Sequence, residues 1–257
     1  MAQVRNIPLA DIDHLALDVL PIATDYPPGH LLDWHAHRRA QLLYAATGTM
    51  SVETDDGTWM VPGERAVMIP GGTRHRVRML AVRTASLYIE PAAVPWWPAS
   101  CAVVEVSTLL RELLLAATGL DAGYPASGRD MALVSLVLFE LSALSGLPLH
   151  ISLPRQPPFA RLCSEYLARP DLAVSNASWA RDAAMSERAF TRRFRQETGI
   201  SPASWRVRAR LLSAIPRLRD ESVTAVAASL GYASPAAFSY AFSRAFAVAP
   251  SSLRKLG

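Results

Sequence analysis

From the start of the chain to about residue 95, apolar and polar positions alternate in short runs broken by turn signals. These are Asp55-Asp56-Gly57, Pro62-Gly63 and Pro70-Gly71-Gly72. The first lies between alternating runs at 48–54 and 58–61, which marks a hairpin. Several short strands at close spacing predict a sandwich or small barrel. The period then lengthens. Leu109, Leu110, Leu113, Leu114 and Ala117 recur at helical spacing, as do Leu133, Leu136, Val137, Leu141 and Leu144. They predict helices over 105–119 and 129–145.

Prolines punctuate the chain. Pro91 and Pro95-Trp96-Trp97-Pro98 end the strand pattern, and Pro148, Pro154, Pro157 and Pro158 make a stretch that resists helix formation. The division expected is 1–95, 96–153 and 154–257. From Phe159 onward the pattern is helical, interrupted at Gly199, Ser201-Pro202, Gly231, Ser234-Pro235 and Ala249-Pro250. Serine before proline starts a helix well: serine caps, and proline sits where its missing N–H costs nothing.

Charge sharpens this division. The chain has 257 residues and a formal net charge of +4, but the halves differ. Residues 154–257 hold 16 Lys/Arg and 7 Asp/Glu, whereas residues 1–153 hold 10 and 15. A basic helical half predicts a nucleic-acid partner, with a plain solubility device as the alternative. The hydrophobic fraction is 51%, yet no uncharged apolar run reaches the length of about 18 residues that a membrane span needs. The N-terminal residues carry acids where a secretory signal needs an apolar core. Cys101 and Cys163 form no disulfide or metal pattern. The expectation is a reduced, cytoplasmic protein. The central helices carry few charges, so more than one face must be covered. Packing on the β domain alone, or pairing with a second copy as a homodimer, would each do this.

Two helix-turn-helix units are legible in the basic half. In the first, residues 179–184 form a short helix, Met185-Ser186 turns the chain, and Ser186 caps a helix from Glu187 to about Glu197. Phe190 and Phe194 face inward, leaving Arg188, Thr191, Arg192 and Arg195 on the outer side, as major-groove reading requires. In the second, Val223, Val226 and Ala227 build the first helix, Gly231 turns the chain and Ser234 caps a helix anchored by Phe238 and Phe242. Its outer positions are Ala236, Ser239, Tyr240 and Arg244, with far fewer donors. Arg192→Ala is expected to cost specificity at one base, and Arg206 or Arg208 to govern mainly salt dependence.

The run Ala183-x2-Ser186-x3-Phe190-x3-Phe194-x4-Gly199-x-Ser201-Pro202 resembles the first half of the AraC/XylS transcription-regulator signature. Ala227-x3-Gly231-Tyr232-x-Ser234-x3-Phe238-x3-Phe242 resembles its second half. The resemblance implies two recognition helices on one side of promoter DNA. Its base-reading positions would fall at Arg188, Thr191, Arg192, Ala236, Ser239 and Tyr240. It leans to an activator, with RNA polymerase as a further partner. The chain departs from the pattern in two places. Ala247-Val248-Ala249-Pro250 replaces the usual Gly-x-Ser-Pro, predicting a looser turn, and Pro216 inside the linker helix predicts a kink.

Gly29-x5-His35-x-His37-x3-Gln41-x6-Gly48 resembles the first motif of a cupin barrel, and Pro70-x-Gly72-x2-His75 the second. The resemblance implies three histidines and a carboxylate around a divalent metal (Zn, Ni, Fe or Mn), but Gln41 replaces the carboxylate and Met79 an asparagine. Residues i and i+2 of a strand share a face, which suits His35 and His37. Three readings stay open for His35, His37, His75 and Gln41: a metal site, hydrogen bonding to an organic effector, or buried and satisfied side chains. Trp34, Tyr44, Trp59, Met60, Met68 and Tyr88 are candidates for lining the same cavity, each with an ordinary core role as its alternative.

The fold expected is therefore α+β multidomain: a cupin-like β-barrel, a helical dimerisation pair and an all-α double helix-turn-helix. The function expected is a DNA-binding regulator controlled by a small molecule or metal. The alternative is a cupin-type metalloenzyme, a dioxygenase or isomerase, fused to a DNA-binding module. That chemistry needs an acid or base in the cavity; Glu53 and Glu64 lie beside predicted turns and Asp33 just outside the histidine pair. No catalytic residue is assigned. A third option, an architectural DNA-binding protein, predicts no effect of any small molecule on DNA affinity.

Overall fold

The computed structural model describes residues 9–80, 82–121, 123–125 and 127–253. A short helix, α1 (Leu9–Ile12), precedes strands β1 (Val19–Asp25), β2 (Leu31–His35), β3 (Ala40–Ala45), β4 (Thr49–Thr54), β5 (Gly57–Pro62), β6 (Arg65–Ile69), β7 (His75–Leu80), β8 (Arg83–Ile89) and β9 (Ala102–Glu105). Helices α2 (Thr108–Ala117) and α3 (Gly128–Ser142) follow, then short strands β10 (Gly146–Leu147) and β11 (His150–Ser152). The strands form a six-stranded sheet in the order β1-β8-β3-β6-β9-β10 and a five-stranded sheet in the order β11-β5-β4-β7-β2. The segment 96–153, expected as helices and a linker, thus also holds three strands. Their partners lie tens of residues away, so no local pattern announces them.

The chain divides into two compact units, residues 1–52 with 61–147, and residues 53–60 with 148–257. In the first, strand parity decides what is buried where. Leu42 and Tyr44 of β3 and Met68 of β6 face helices α2 and α3, joining Leu87, Leu110, Leu114, Val134, Val137 and Leu141 in one core. Ser107 caps α2 by accepting from the Leu110 N–H. Each fully buried leucine of that helix contributes about 1.5–3 kcal/mol. The same two helices also expose large apolar side chains, Leu109 (51%), Leu136 (41%) and Phe139 (73%).

The second unit carries α4 (Pro157–Ala168), α5 (Asn176–Asp182), α6 (Glu187–Thr198), α7 (Pro202–Leu218), α8 (Val223–Ser229) and α9 (Pro235–Phe246). Serine caps start α5 to α9: Ser175, Ser186, Ser201, Ser222 and Ser234 each accept from the N–H three residues on. Phe159, Tyr166, Trp179, Phe190, Phe194 and Trp205 interlock as tilted and edge-to-face pairs. Phe238, Phe242 and Phe246 repeat the device around α9. The hairpin tip at 53–60 belongs here through β11, which pairs His150 with Trp59. The Trp205 indole in turn donates to the Ser152 carbonyl at 2.8 Å.

Of the two departures noted in the sequence, the turn after α9 resolves differently from expectation. Helix α7 runs through Pro216 to Leu218, so the proline, two residues before the last residue of the helix, does not end it. The turn after α9 is as tight as its glycine counterpart. Ala247 holds a left-handed φ of 58° and donates to the Ser243 carbonyl at 2.8 Å, as Gly199 does to Arg195 at 2.9 Å. The strain of a β-carbon in that conformation is accepted rather than the turn opened.

Candidate functional site

Two sites emerge, one in each unit. In the first unit, residues from β1, β2, β3, β7 and β8 enclose a cavity of about 100 Å³. His35 and His75 face each other across the β2–β7 pairing. His35, His37 and His75 each offer a ring nitrogen, and these lie within 4.8 Å of one another. Their other nitrogens are committed. The Nδ1 of His35 donates to the Asp33 carbonyl at 2.7 Å, that of His37 to the Arg39 carbonyl at 2.7 Å, and that of His75 to the Thr73 carbonyl at 2.8 Å. A carbonyl oxygen only accepts, so each Nδ1 carries the proton and each Nε2 keeps its lone pair. The Nε2 of His75 is buried and meets no partner among the described residues. Burial disfavours the imidazolium, lowering His37 below its usual range and His75 to about 4.

Gln41, one residue pair away, organises the polar side. Its amide nitrogen donates to the Tyr88 hydroxyl at 3.0 Å and lies 3.4 Å from Ser86 Oγ. Its oxygen faces His37 Nε2 at 3.2 Å. Burial raises the Tyr88 phenol well above its ordinary range, so it stays protonated.

Of the six aromatic and methionine positions expected in the effector pocket, Tyr88 lines this cavity and the others do not. Because Gln41 points inward, Leu43 does too, and Tyr44 turns to the helices. Met68, beside Leu42, shares that outer side. Trp34 alternates away from His35 and lies under the Arg74 guanidinium, 4.4 Å from its ring centre. Trp59 stacks on His150 at 6.1 Å in the second unit, to which Met60 also belongs. Sequence reasoning missed Thr24, Tyr26 and Ser86 as polar wall residues. The parity of β8, once Tyr88 is placed, was a usable signal for Ser86.

It also missed Arg39, which is fully buried beside the site. Its guanidinium pairs with Asp13 at 2.8 Å and Glu90 at 2.8 Å, and donates to the carbonyls of Leu15 and Leu17. Arg38 binds the same two carboxylates from the exposed side.

In the second unit, Arg188, Thr191, Arg192 and Arg195 of α6 line one open concave surface with Glu187 and Gln196. Ser186 fixes the start of the helix, and the fully buried Phe190 and Phe194 fix its rotation. Ala184, with φ of 54°, makes the turn between α5 and α6. On α9, Ala236, Tyr240 and Arg244 are exposed and Ser239 is half-buried, with Tyr240 68% exposed. Two arginines expected at phosphates are elsewhere. Arg206 is 6% exposed, donates to Asn176 Oδ1 at 2.8 Å and stacks on Trp179. Arg208 donates to the carbonyls of His150 at 2.7 Å, Ala245 at 2.8 Å and Pro148. An aromatic face and an amide oxygen hold Arg206, whose Nη1 meets no hydrogen-bond partner among the described residues, and main-chain carbonyls hold Arg208.

Residues 18–190 match the AraC-like ligand binding domain, and residues 179–256 match a helix-turn-helix domain. The chain is 32% identical over 218 residues to the HTH-type transcriptional regulator NimR of Escherichia coli (strain K12), covering 84% of this chain and 80% of NimR. ToxT of Vibrio cholerae strain SCE256 aligns over 92% of this chain and 96% of its own at 10% identity and a TM-score of 0.39. A regulator with an AraC-type DNA-binding domain from Chromobacterium violaceum aligns over 38% of this chain and 89% of its own, at 24% identity and a TM-score of 0.36. No helix among the described residues is long and apolar enough to cross a membrane. An AraC-like ligand-binding half and a double helix-turn-helix half in one chain make this protein a member of the AraC family, a DNA-binding transcription regulator with an N-terminal ligand-binding domain.

Proposed function

We propose that this regulator responds to a divalent metal held by the Nε2 atoms of His35, His37 and His75, with the Gln41 side-chain oxygen beside them. One observation carries the reading: all three Nδ1 protons are tied to backbone carbonyls, which turns three lone pairs toward one another. Metal-ligating histidines are oriented in just this way by their outer partners. Imidazole donors suit Zn, Ni, Fe and similar ions, and Gln41 adds no charge. The metal would serve as a ligand to the sensor, since the described residues of the cavity wall include no carboxylate to act as acid or base.

The recognition surface is α6, with Arg188, Thr191, Arg192 and Arg195 at base edges and phosphates. On α9, Ala236, Ser239, Tyr240 and Arg244 add mainly backbone contacts. The exposed apolar side chains of α2 and α3 would join two copies, so that metal binding shifts the balance between subunit arrangements on promoter DNA in the cytoplasm. The output is activation through contact with RNA polymerase.

A rival arrangement turns the Gln41 amide over, so that it donates to His37 and closes one of the three lone pairs. Gln41→Glu separates the two. With a metal site, the added carboxylate tightens zinc or cobalt binding by roughly tenfold or more while lowering the melting temperature of the metal-free protein. Calorimetric titration of the full chain with both ions, with and without promoter DNA, measures this. No binding by the wild-type chain would overturn the metal reading.

A further inference from the structure

The charge around the histidine cluster does not balance once a divalent ion is placed there. The three imidazoles are neutral donors, and the described residues that line the cavity include no aspartate, glutamate, lysine or arginine. The nearby carboxylates of Asp13 and Glu90 are already engaged by Arg38 and Arg39. A metal bound here keeps its two positive charges inside a mostly enclosed space, which is costly without a counter-charge.

The opposite wall supplies hydrogen-bond donors. Tyr88 accepts from the Gln41 amide, so its own hydroxyl proton is available to a bound group, and the same holds for Ser86. Tyr88 packs edge-on against the His37 ring at 5.1 Å, which sets that donor beside the nitrogen cluster. Three lone pairs on one side and hydroxyl donors on the other leave about 100 Å³ between them. At about 30 Å³ per water-sized group, that holds roughly three to five non-hydrogen atoms.

From this juxtaposition we infer that the sensor's ligand is a pair, a divalent metal on His35, His37 and His75 together with a small carboxylate or similar oxyanion that binds the metal and accepts from Tyr88 and Ser86. The inference rests on the metal reading above and names what completes it. Its consequence is selectivity by charge and size: a small anion is taken, while its neutral analogue and a bulky carboxylate are refused.

Cobalt(II) reports both steps, because its visible spectrum reads first its own binding and then any change among its ligands. Full-length protein loaded with cobalt would be titrated with acetate, acetamide and benzoate. The expected result is a cobalt band that shifts with acetate and stays put with acetamide or benzoate. Tyr88→Phe should keep the band and weaken acetate by roughly tenfold or more, the loss of one hydrogen bond to a charged group. His75→Ala should abolish the band. Absence of the band in the wild type overturns the metal reading itself. A band that acetate does not move, or that acetamide moves equally, overturns the anion alone. An acetate response unchanged in Tyr88→Phe overturns the role given to that hydroxyl.

Discussion

The His37 side chain donates from Nδ1 to the main-chain carbonyl of Arg39 at 2.7 Å, so the histidine's orientation is set by a residue whose own side chain is completely buried. The Arg39 guanidinium is in turn held by Asp13, Glu90 and two carbonyls. Removing it leaves those acceptors facing a void. Arg39→Ala is expected to destabilise the protein by about 3–5 kcal/mol in urea unfolding. Arg38→Ala, whose side chain is half exposed, should have a far smaller effect. Equal effects would contradict the buried role of Arg39.

Arginines that look alike in the sequence should behave differently on DNA. Arg192→Ala is expected to cost about 1–3 kcal/mol on the specific site and to relax preference at one base pair. Arg208→Ala should instead lower the unfolding midpoint, because three carbonyls lose their donor, and should leave the salt dependence of binding in the folded fraction unchanged. Selection of bound sequences, with binding measured over a salt series, tests both. A uniform loss across all sequences for Arg192→Ala would remove it from base reading.

The two left-handed helix ends offer a matched pair. Gly199→Ala should destabilise by about 1 kcal/mol, and Ala247→Gly should stabilise by a similar amount, as each adds or relieves the same β-carbon strain. Thermal unfolding of both variants reads the signs. Destabilisation by Ala247→Gly would show that the conformation is carried by something other than this turn.

The exposed face of α3 bears on self-association. Phe139→Glu places a charge at the centre of the apolar patch formed with Leu136. Sedimentation should show a dimer for the wild type and a monomer for the variant, with the melting temperature of the dilute protein nearly unchanged. A wild-type monomer at high concentration would remove the dimer from the proposal.

What could be read in advance was local chemistry. Serine caps, the Phe190–Phe194 and Phe238–Phe242 spacings and Gly199 act within one or two turns, so the double helix-turn-helix was legible. The histidine trio was legible because strand parity links His35 to His37 and turn glycines precede His75. The cavity wall was not, because which face Tyr44 or Met68 takes depends on pairings β3–β6 and β3–β8 that bring together residues far apart in the chain. Nor was the fate of the arginines. Arg206 and Arg208 were expected to govern salt dependence and Arg39 went unnoticed, yet each is taken in by carboxylates, carbonyls or an aromatic face that sequence spacing does not reveal.

The grip of Trp205 and Arg208 on the carbonyls of Pro148, His150 and Ser152 also bears on how such regulators recombine. A crossover at the proline-rich stretch near 154 would deliver the DNA-binding helices without the three acceptors they close on. Exchange of sensor halves between relatives is therefore expected to succeed only when the strand at 150–152 travels with the helices, so that inheritance follows hydrogen bonds rather than the flexible-looking joint.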